Sequence, residues 1–372
     1  MCARPLDHLA RGCFALACAV SVTDASVAGA LEPAPAPEVT PRLQQPWPEL
    51  AAVFPGVLLH GSGTWLQGRT ETSVRLLRAE GAGLLATFLS GAILFRTGAA
   101  RNLVGPAALL AVTGVGTFGL SLLSSLYATW APRSGWGEPS ARQALLESAL
   151  GYSYIDDPQF AFHHFLTTRL DARLGHAPAL HLGLATAHAP DQGNQRYELE
   201  AGLRLLEQRP SPELAPDGSY LEPRLGYSEH RFDSTGFVTR VLEFGVEARL
   251  DSVRLLSDVR GAFFQLGAGW AEQWFVFDLP GVEALNANSL LLAHVGFGMY
   301  LQRQGELELY YDHRHDGFAG GLKVLGLGSG VAGHFGLRGQ YAFTPDWGLR
   351  AEAMVGSAWV LGLSALFSVG QR

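Results

Sequence analysis

Charged side chains are scarce in this chain, making up only 16% of its 372 residues. Soluble domains ordinarily carry about a quarter. That shortage, with 45 glycines and 10% aromatic residues, speaks against an ordinary water-facing surface and suits a protein whose exterior meets lipid. The charge that is present sums to −7, and no basic stripe interleaved with aromatics accompanies it. A nucleic-acid partner is thereby disfavoured, because phosphates need a basic face. Cysteine is confined to positions 2, 13 and 18. The segment holding Cys2, Cys13 and Cys18 has Arg4 and Arg11 ahead of a short apolar run. It closes on the small-residue pattern Ala28-Gly29-Ala30. Residues 1–30 therefore read as a secretory signal peptide, and the mature chain would have neither a disulfide framework nor a thiolate metal site.

Three further segments follow. Residues 31–48 are proline-rich and read as an extended linker. Residues 49–136 are apolar and helical in pattern. Thr70 stands as an N-cap and Glu71 sits where the helix dipole favours an anion. The uncharged run from Leu103 to Ala131 is long enough to span a bilayer, whereas Gly81 to Phe95 is marginal. Together they predict an apolar helical hairpin turning near Arg96–Arg101. His60-Gly61-Ser62-Gly63 lacks the G-x-S-x-G spacing and no strand precedes it, so it reads as a plain turn.

From residue 146 to 372 the period changes to two. In RYELEAGLRLLE, Tyr197, Leu199, Ala201, Leu203 and Leu205 share one face, and Arg196, Glu198, Glu200 and Arg204 share the other. VLEFGVEARL and WGLRAEAMVG repeat the pattern, turning Glu243, Glu247, Arg249, Arg350 and Glu352 to the polar face. The alternation predicts strands at 146–155, 160–174, 179–189, 195–207, 219–231, 237–250, 258–272, 290–303, 305–315, 331–343, 346–356 and 357–369. Segments of roughly ten residues are long for a soluble sandwich. The pattern resembles bacterial outer-membrane β-barrels. That resemblance implies a transmembrane antiparallel β-barrel of about twelve strands behind an apolar α-helical hairpin, located in the outer membrane. With the first strand starting on the periplasmic side, the long connections 273–289 and 316–330 fall on the outer side.

The chemically densest stretch is ELELYYDHRHDGFAGG, residues 306–321. Period two sends Leu307, Leu309, Tyr311, His313 and His315 outward. It sends Glu306, Glu308, Tyr310, Asp312, Arg314 and Asp316 inward, where His334 and Arg338 of the next strand are partners for the acids. The cluster Asp312, Arg314, Asp316, His334 and Arg338 is thus read as lumenal pairing. His313-Arg314-His315-Asp316-Gly317 also resembles the H-x-S-N pattern of outer-membrane phospholipase A and the lipid A deacylases. That resemblance implies a lipid-acting hydrolase with His313 as base. The serine position, however, holds His315 and the asparagine position Asp316, and histidine cannot supply the hydroxyl of an acyl-enzyme. Ser329 is the nearest following hydroxyl in sequence. His313 and His315 project together but have no third metal ligand in phase. The reading is therefore a barrel with no cofactor or metal and a structural, scaffolding or narrow transport role. Its expected partners are outer-membrane lipid and, through the helical segment, other envelope proteins.

Overall fold

The computed structural model describes residues 46–98, 101–130, 139, 144–157, 163–175, 178–190, 193–206, 217–232, 236–255, 260–277, 286–314, 318, 322–323 and 331–370. The expected signal peptide, nearly all of the proline-rich linker, and His315, Asp316 and Ser329 lie outside these residues.

Four helices come first: α1 (Trp47–Val53), α2 (Ser62–Leu66), α3 (Thr70–Thr97) and α4 (Arg101–Trp130). Two positions assigned to the linker, Trp47 and Pro48, belong to α1 instead; proline is tolerated there because first-turn N–H groups have no intrahelical acceptor. Thr70 is the first residue of α3 and not its cap. Arg69 precedes it without a side-chain cap bond and donates from Nη1 to Ala128 O (2.9 Å), tying the start of α3 to the end of α4. Helices α3 and α4 are both long and apolar enough to cross a membrane. Between them the contacts are polar and close: Ser90 Oγ donates to Ala107 O (2.6 Å) and Ser121 Oγ to Leu76 O (2.8 Å). Small and hydroxylated residues serve this purpose where lipid gives no hydrophobic drive between helices. The His60 turn is buried against the hairpin: His60 N–H donates to Glu80 Oε2 (2.9 Å) and Gly61 N–H to Ser125 Oγ (2.8 Å).

The strands that follow are β1 (Leu146–Asp156), β2 (His164–Gly175), β3 (Ala179–Ala189), β4 (Asn194–Arg204), β5 (Tyr220–Phe232) and β6 (Phe237–Asp251). After the short helix α5 (Ser252–Leu255) come β7 (Ala262–Phe277), β8 (Asn286–Leu301) and β9 (Gly305–Asp312). The chain ends with β10 (Leu322–Lys323), β11 (Val331–Ala332), β12 (His334–Ala342), β13 (Trp347–Val355) and β14 (Trp359–Val369). Twelve of them form one closed barrel in the order β1-β14-β13-β12-β9-β8-β7-β6-β5-β4-β3-β2, while β10 and β11 pair only with each other. Closure runs from Leu146↔Val369 to Asp156↔Trp359, all antiparallel.

Strand number and order agree with the sequence pattern, but several ends do not: β2 starts late at His164, β7 starts late at Ala262, and β4 stops early at Arg204. β7 runs on to Phe277 because residues 273–277 pair with 237–241 of β6. β8 starts at Asn286, earlier than expected. β9 stops at Asp312, and Val331–Ala332 leave the barrel for the small β10–β11 hairpin.

Side chains alternate across the wall. Leu309 is 57% exposed, whereas its neighbours Glu308 and Tyr310 are 1% and 5% exposed. Following the register, Leu250, Phe264, Phe297, Leu309, Leu337, Ala353 and Leu361 form a continuous outward apolar row. Helix α4 covers part of that row. A Cβ at Gly116 would come within 2.8 Å of Phe264, and one at Gly119 within 2.5 Å of Phe297, so both glycines seat an aromatic ring against the helix backbone. Tyr127 Oη donates to Tyr300 O (2.9 Å) near the strand ends. The hairpin therefore packs on the outside of the barrel wall.

Gly119→Phe should push α4 off Phe297 without touching the closure between β1 and β14. Protease treatment in detergent is expected to remove the hairpin faster than in the parent. The boiled-versus-unboiled mobility shift of the barrel should persist, and its loss would show that the hairpin is integral to barrel stability.

Candidate functional site

The inward face of the barrel gathers the chain's charge. Its cations are arginines almost without exception, since Lys323 is the only lysine in the sequence. Carboxylates on one strand meet guanidinia on the next. Glu222 on β5 is buried and takes Arg204 Nε (2.8 Å) and Arg224 Nε (2.9 Å), with His181 Nδ1 at 3.3 Å. Arg224 continues to Glu247 (2.8 Å), which also accepts from Tyr220 Oη (2.6 Å). Arg169 bridges Asp171 and Glu200, both at 2.8 Å. Buried carboxylates require this, because a charge removed from water without partners costs several kcal/mol. Glycine supplies the room: a Cβ at Gly296 would sit 1.9 Å from Glu308 Oε1.

Some contacts do more than line the wall. Arg249 on β6 donates from Nη1 to Glu306 on β9 (2.8 Å), although β7 and β8 lie between those strands. Arg314, just past β9, pairs with Glu243 of the same β6. Tyr310 of β9 donates to Glu352 of β13 (2.7 Å) across β12. These are chords across the lumen. Beside them remains a polar cavity of about 570 Å³, lined by Arg169, Glu198, Glu200, Glu308, Arg338 and Glu352 among others. Phe318, from the connection after β9, faces the cavity, its ring 4.7 Å from that of Phe165 and 5.4 Å from the Arg196 guanidinium carbon.

The stretch DHRHDG is now placed as far as Arg314. Arg338 Nε donates to Glu308 Oε2 (2.8 Å); His334 stands opposite Asp312 in backbone register, but its buried Nδ1 meets no hydrogen-bond partner among the described residues. Arg314 reaches Glu243 on β6, brought near by barrel curvature, while Asp316 lies outside the described residues. His313 N–H donates to Ala293 O (2.6 Å), and its Nδ1 meets the Tyr311 phenol at 2.9 Å. No group of three or more His, Cys, Asp or Glu suited to a metal occurs among the described residues. Several participants are not singled out by the sequence pattern, among them Arg169, Asp171 and Arg224. His294 lies 3.3 Å from Glu308 and 3.9 Å from Asp312, and Glu222 is a three-way hub. Inward phase on β8 and β5 was the available signal for both.

No family model matches the chain, and no curated protein matches it in sequence. Among solved structures it resembles bacterial outer-membrane β-barrels. The Acinetobacter baumannii outer membrane protein Omp33 aligns over 62% of this chain and 100% of its own, at 15% identity and a TM-score of 0.32. The KdgM porin aligns over 60% and 99%, at 9% identity and 0.37. The outer membrane phospholipase A from Escherichia coli aligns over 61% and 94%, at 10% identity and 0.34. At such identities the likeness is one of fold alone.

Arg314→Ala leaves Glu243 without this guanidinium and should cost about 1–3 kcal/mol. His313→Ala should cost well under that, roughly half a kcal/mol, as a substitution at a strand end. Urea dependence of the gel-mobility shift measures both. Equal losses would contradict the assignment of Arg314 to the lumen.

Proposed function

We propose that this chain is an integral outer-membrane β-barrel with a structural, scaffolding or narrow transport role, exported by its N-terminal signal segment. The observation that carries the reading is the pair of cross-lumen contacts from β6 to β9, Arg249–Glu306 and Arg314–Glu243, inside a wall whose outward row is apolar. An apolar exterior with a closed hydrogen-bonding hoop fits a bilayer. Twelve strands leave a modest bore, and ion pairs bridging it leave little open width. The partners implied are membrane lipid around the barrel and envelope proteins or lipid at the outer apolar face of the hairpin, where Phe88 and Phe95 are exposed.

Planar-bilayer recording tests this. The parent protein should give small or no ionic conductance, and the double variant Arg249→Ala, Arg314→Ala should give openings several-fold larger. Stable multi-nanosiemens openings in the parent would remove the narrow-lumen reading.

His313 provides a separate check on enzymatic activity. Its Nδ1 is engaged by a phenol. Purified protein should release no fatty acid from phospholipid or lipid A above background. A lipase signal that vanishes in His313→Ala would reverse the ranking in favour of a hydrolase.

A further inference from the structure

The wall that runs on from the hairpin-covered strands, β6 through β2, carries a different feature on its outward face. Strands β2 to β6 there contribute two successive apolar rows. One is Leu170–Leu184–Leu199–Tyr227–Leu242, and the other is Ala172–Leu182–Ala201–Leu225–Phe244. The small side chains of Ala172 and Ala201 among leucines leave a groove of about 450 Å³ with an almost wholly apolar lining.

The next row toward the outer end changes character at once. It reads Thr168–Thr186–Tyr197–Glu229–Arg240, with Gln195 and Arg231 one step beyond. Thr168 and Thr186 bond to each other (2.8 Å), and Tyr197 Oη donates to Gln195 (2.6 Å). Glu229 draws both arginines together, accepting from Arg231 Nε (2.6 Å) and Arg240 Nε (2.9 Å), with Tyr227 Oη at 3.2 Å. The carboxylate takes the Nε edge of each guanidinium, while about half of each arginine side chain remains exposed. Among the described residues of this row two arginines share one carboxylate above the apolar groove, an excess of positive charge, and Tyr227 belongs to both. Among the described residues the other outward acid nearby is Glu272 of β7, one strand beyond Leu242, which accepts from Trp270 and Ser289.

We infer that this face is a binding site for one anionic membrane lipid, its phosphate on Arg231 and Arg240 and an acyl chain in the groove beside Leu199 and Ala201. Charge complementarity selects the occupant: guanidinia recognise phosphate oxygens well, and the groove offers an acyl chain contacts that a flat wall lacks. The inference rests on the barrel being membrane-embedded, as proposed above.

Native mass spectrometry of the full chain, released from micelles holding equal phosphatidylglycerol and phosphatidylcholine, reads the site directly. The parent should retain one phosphatidylglycerol over phosphatidylcholine by about fivefold, the ratio one net basic charge near a membrane gives. Arg231→Gln with Arg240→Gln should erase the preference, and Ala201→Trp, which fills the groove, should reduce retention of both lipids. Arg254→Gln, an arginine paired with Asp217 beyond the other end of the wall, should change neither. Equal retention by the parent, an unaltered preference in the double arginine variant, or a dimer in place of a lipid adduct would overturn the proposal. Flotation with liposomes is measured alongside. A protein that floats but shows no selectivity sinks only this site, whereas one that does not float sinks the membrane reading and this site with it.

Discussion

Every backbone N–H and C=O in a wall facing apolar surroundings must be paired within the wall, and that constraint governs this structure. An open sheet would leave two edges unpaired at a cost of several kcal/mol per orphaned group. Antiparallel pairing between β1 and β14, from Leu146↔Val369 to Asp156↔Trp359, removes both edges. With the hoop closed, each strand has one face outward and one inward, and period two becomes compulsory. The outward leucines and the inward arginines and carboxylates are two consequences of one closure.

The inward face then has a problem of its own. Glu308 and Glu222 are nearly inaccessible, and a lone buried carboxylate would not stay ionised cheaply. Arginine meets the need better than lysine, because its planar fork can serve two carboxylates while its stem packs on a ring. Arg224 joins Glu222 to Glu247, and Arg249 joins Glu306 while lying 3.9 Å over the Phe263 ring. The same chemistry that satisfies these acids also fills the bore. Polar satisfaction and lumen crossing are thus one set of contacts, lying beside the polar cavity.

How much of this the sequence reveals depends on whether the two faces differ. Where they do, as in RYELEAGLRLL, both the strand and the direction of each side chain are readable, and all twelve barrel strands were. Where both faces are apolar, the signal fades. The end of β7, WFVF, turns Phe275 and Phe277 to the same side that Glu247 and Arg249 occupy lower on β6, so alternation disappears and the pattern ends before the strand does. Cross-lumen partners are invisible for another reason. Arg314 and Glu243 are 71 residues apart, and only barrel curvature brings them together. Gly116 and Gly119 are a third case. In sequence they look like residues that weaken a helix, and in the fold they are the hollows into which Phe264 and Phe297 fit.

The hairpin raises a tension that its own packing eases. A long uncharged helix tends to remain in the first membrane it meets, which sits awkwardly with delivery to an outer membrane. Yet the faces that α3 and α4 turn toward each other and toward the His60 turn are far from uniformly apolar. Glu80, Ser90, Ser121, Ser124, Ser125 and Thr129 are all buried in the folded hairpin. Before folding these groups are spread along the chain, where each lowers the gain from entering lipid as a single helix. After folding, Glu80 accepts from His60 N–H, Ser90 and Ser121 donate to the opposite helix, and Ser125 accepts from Gly61. Polarity is thus exposed in the unassembled segment and hidden in the assembled one. What remains outside is an apolar surface that includes Phe88 and Phe95, while the aromatic row of β7 and β8 meets Gly116 and Gly119 of α4. A segment arranged this way is a poor lone span and a good partner for a wall already built.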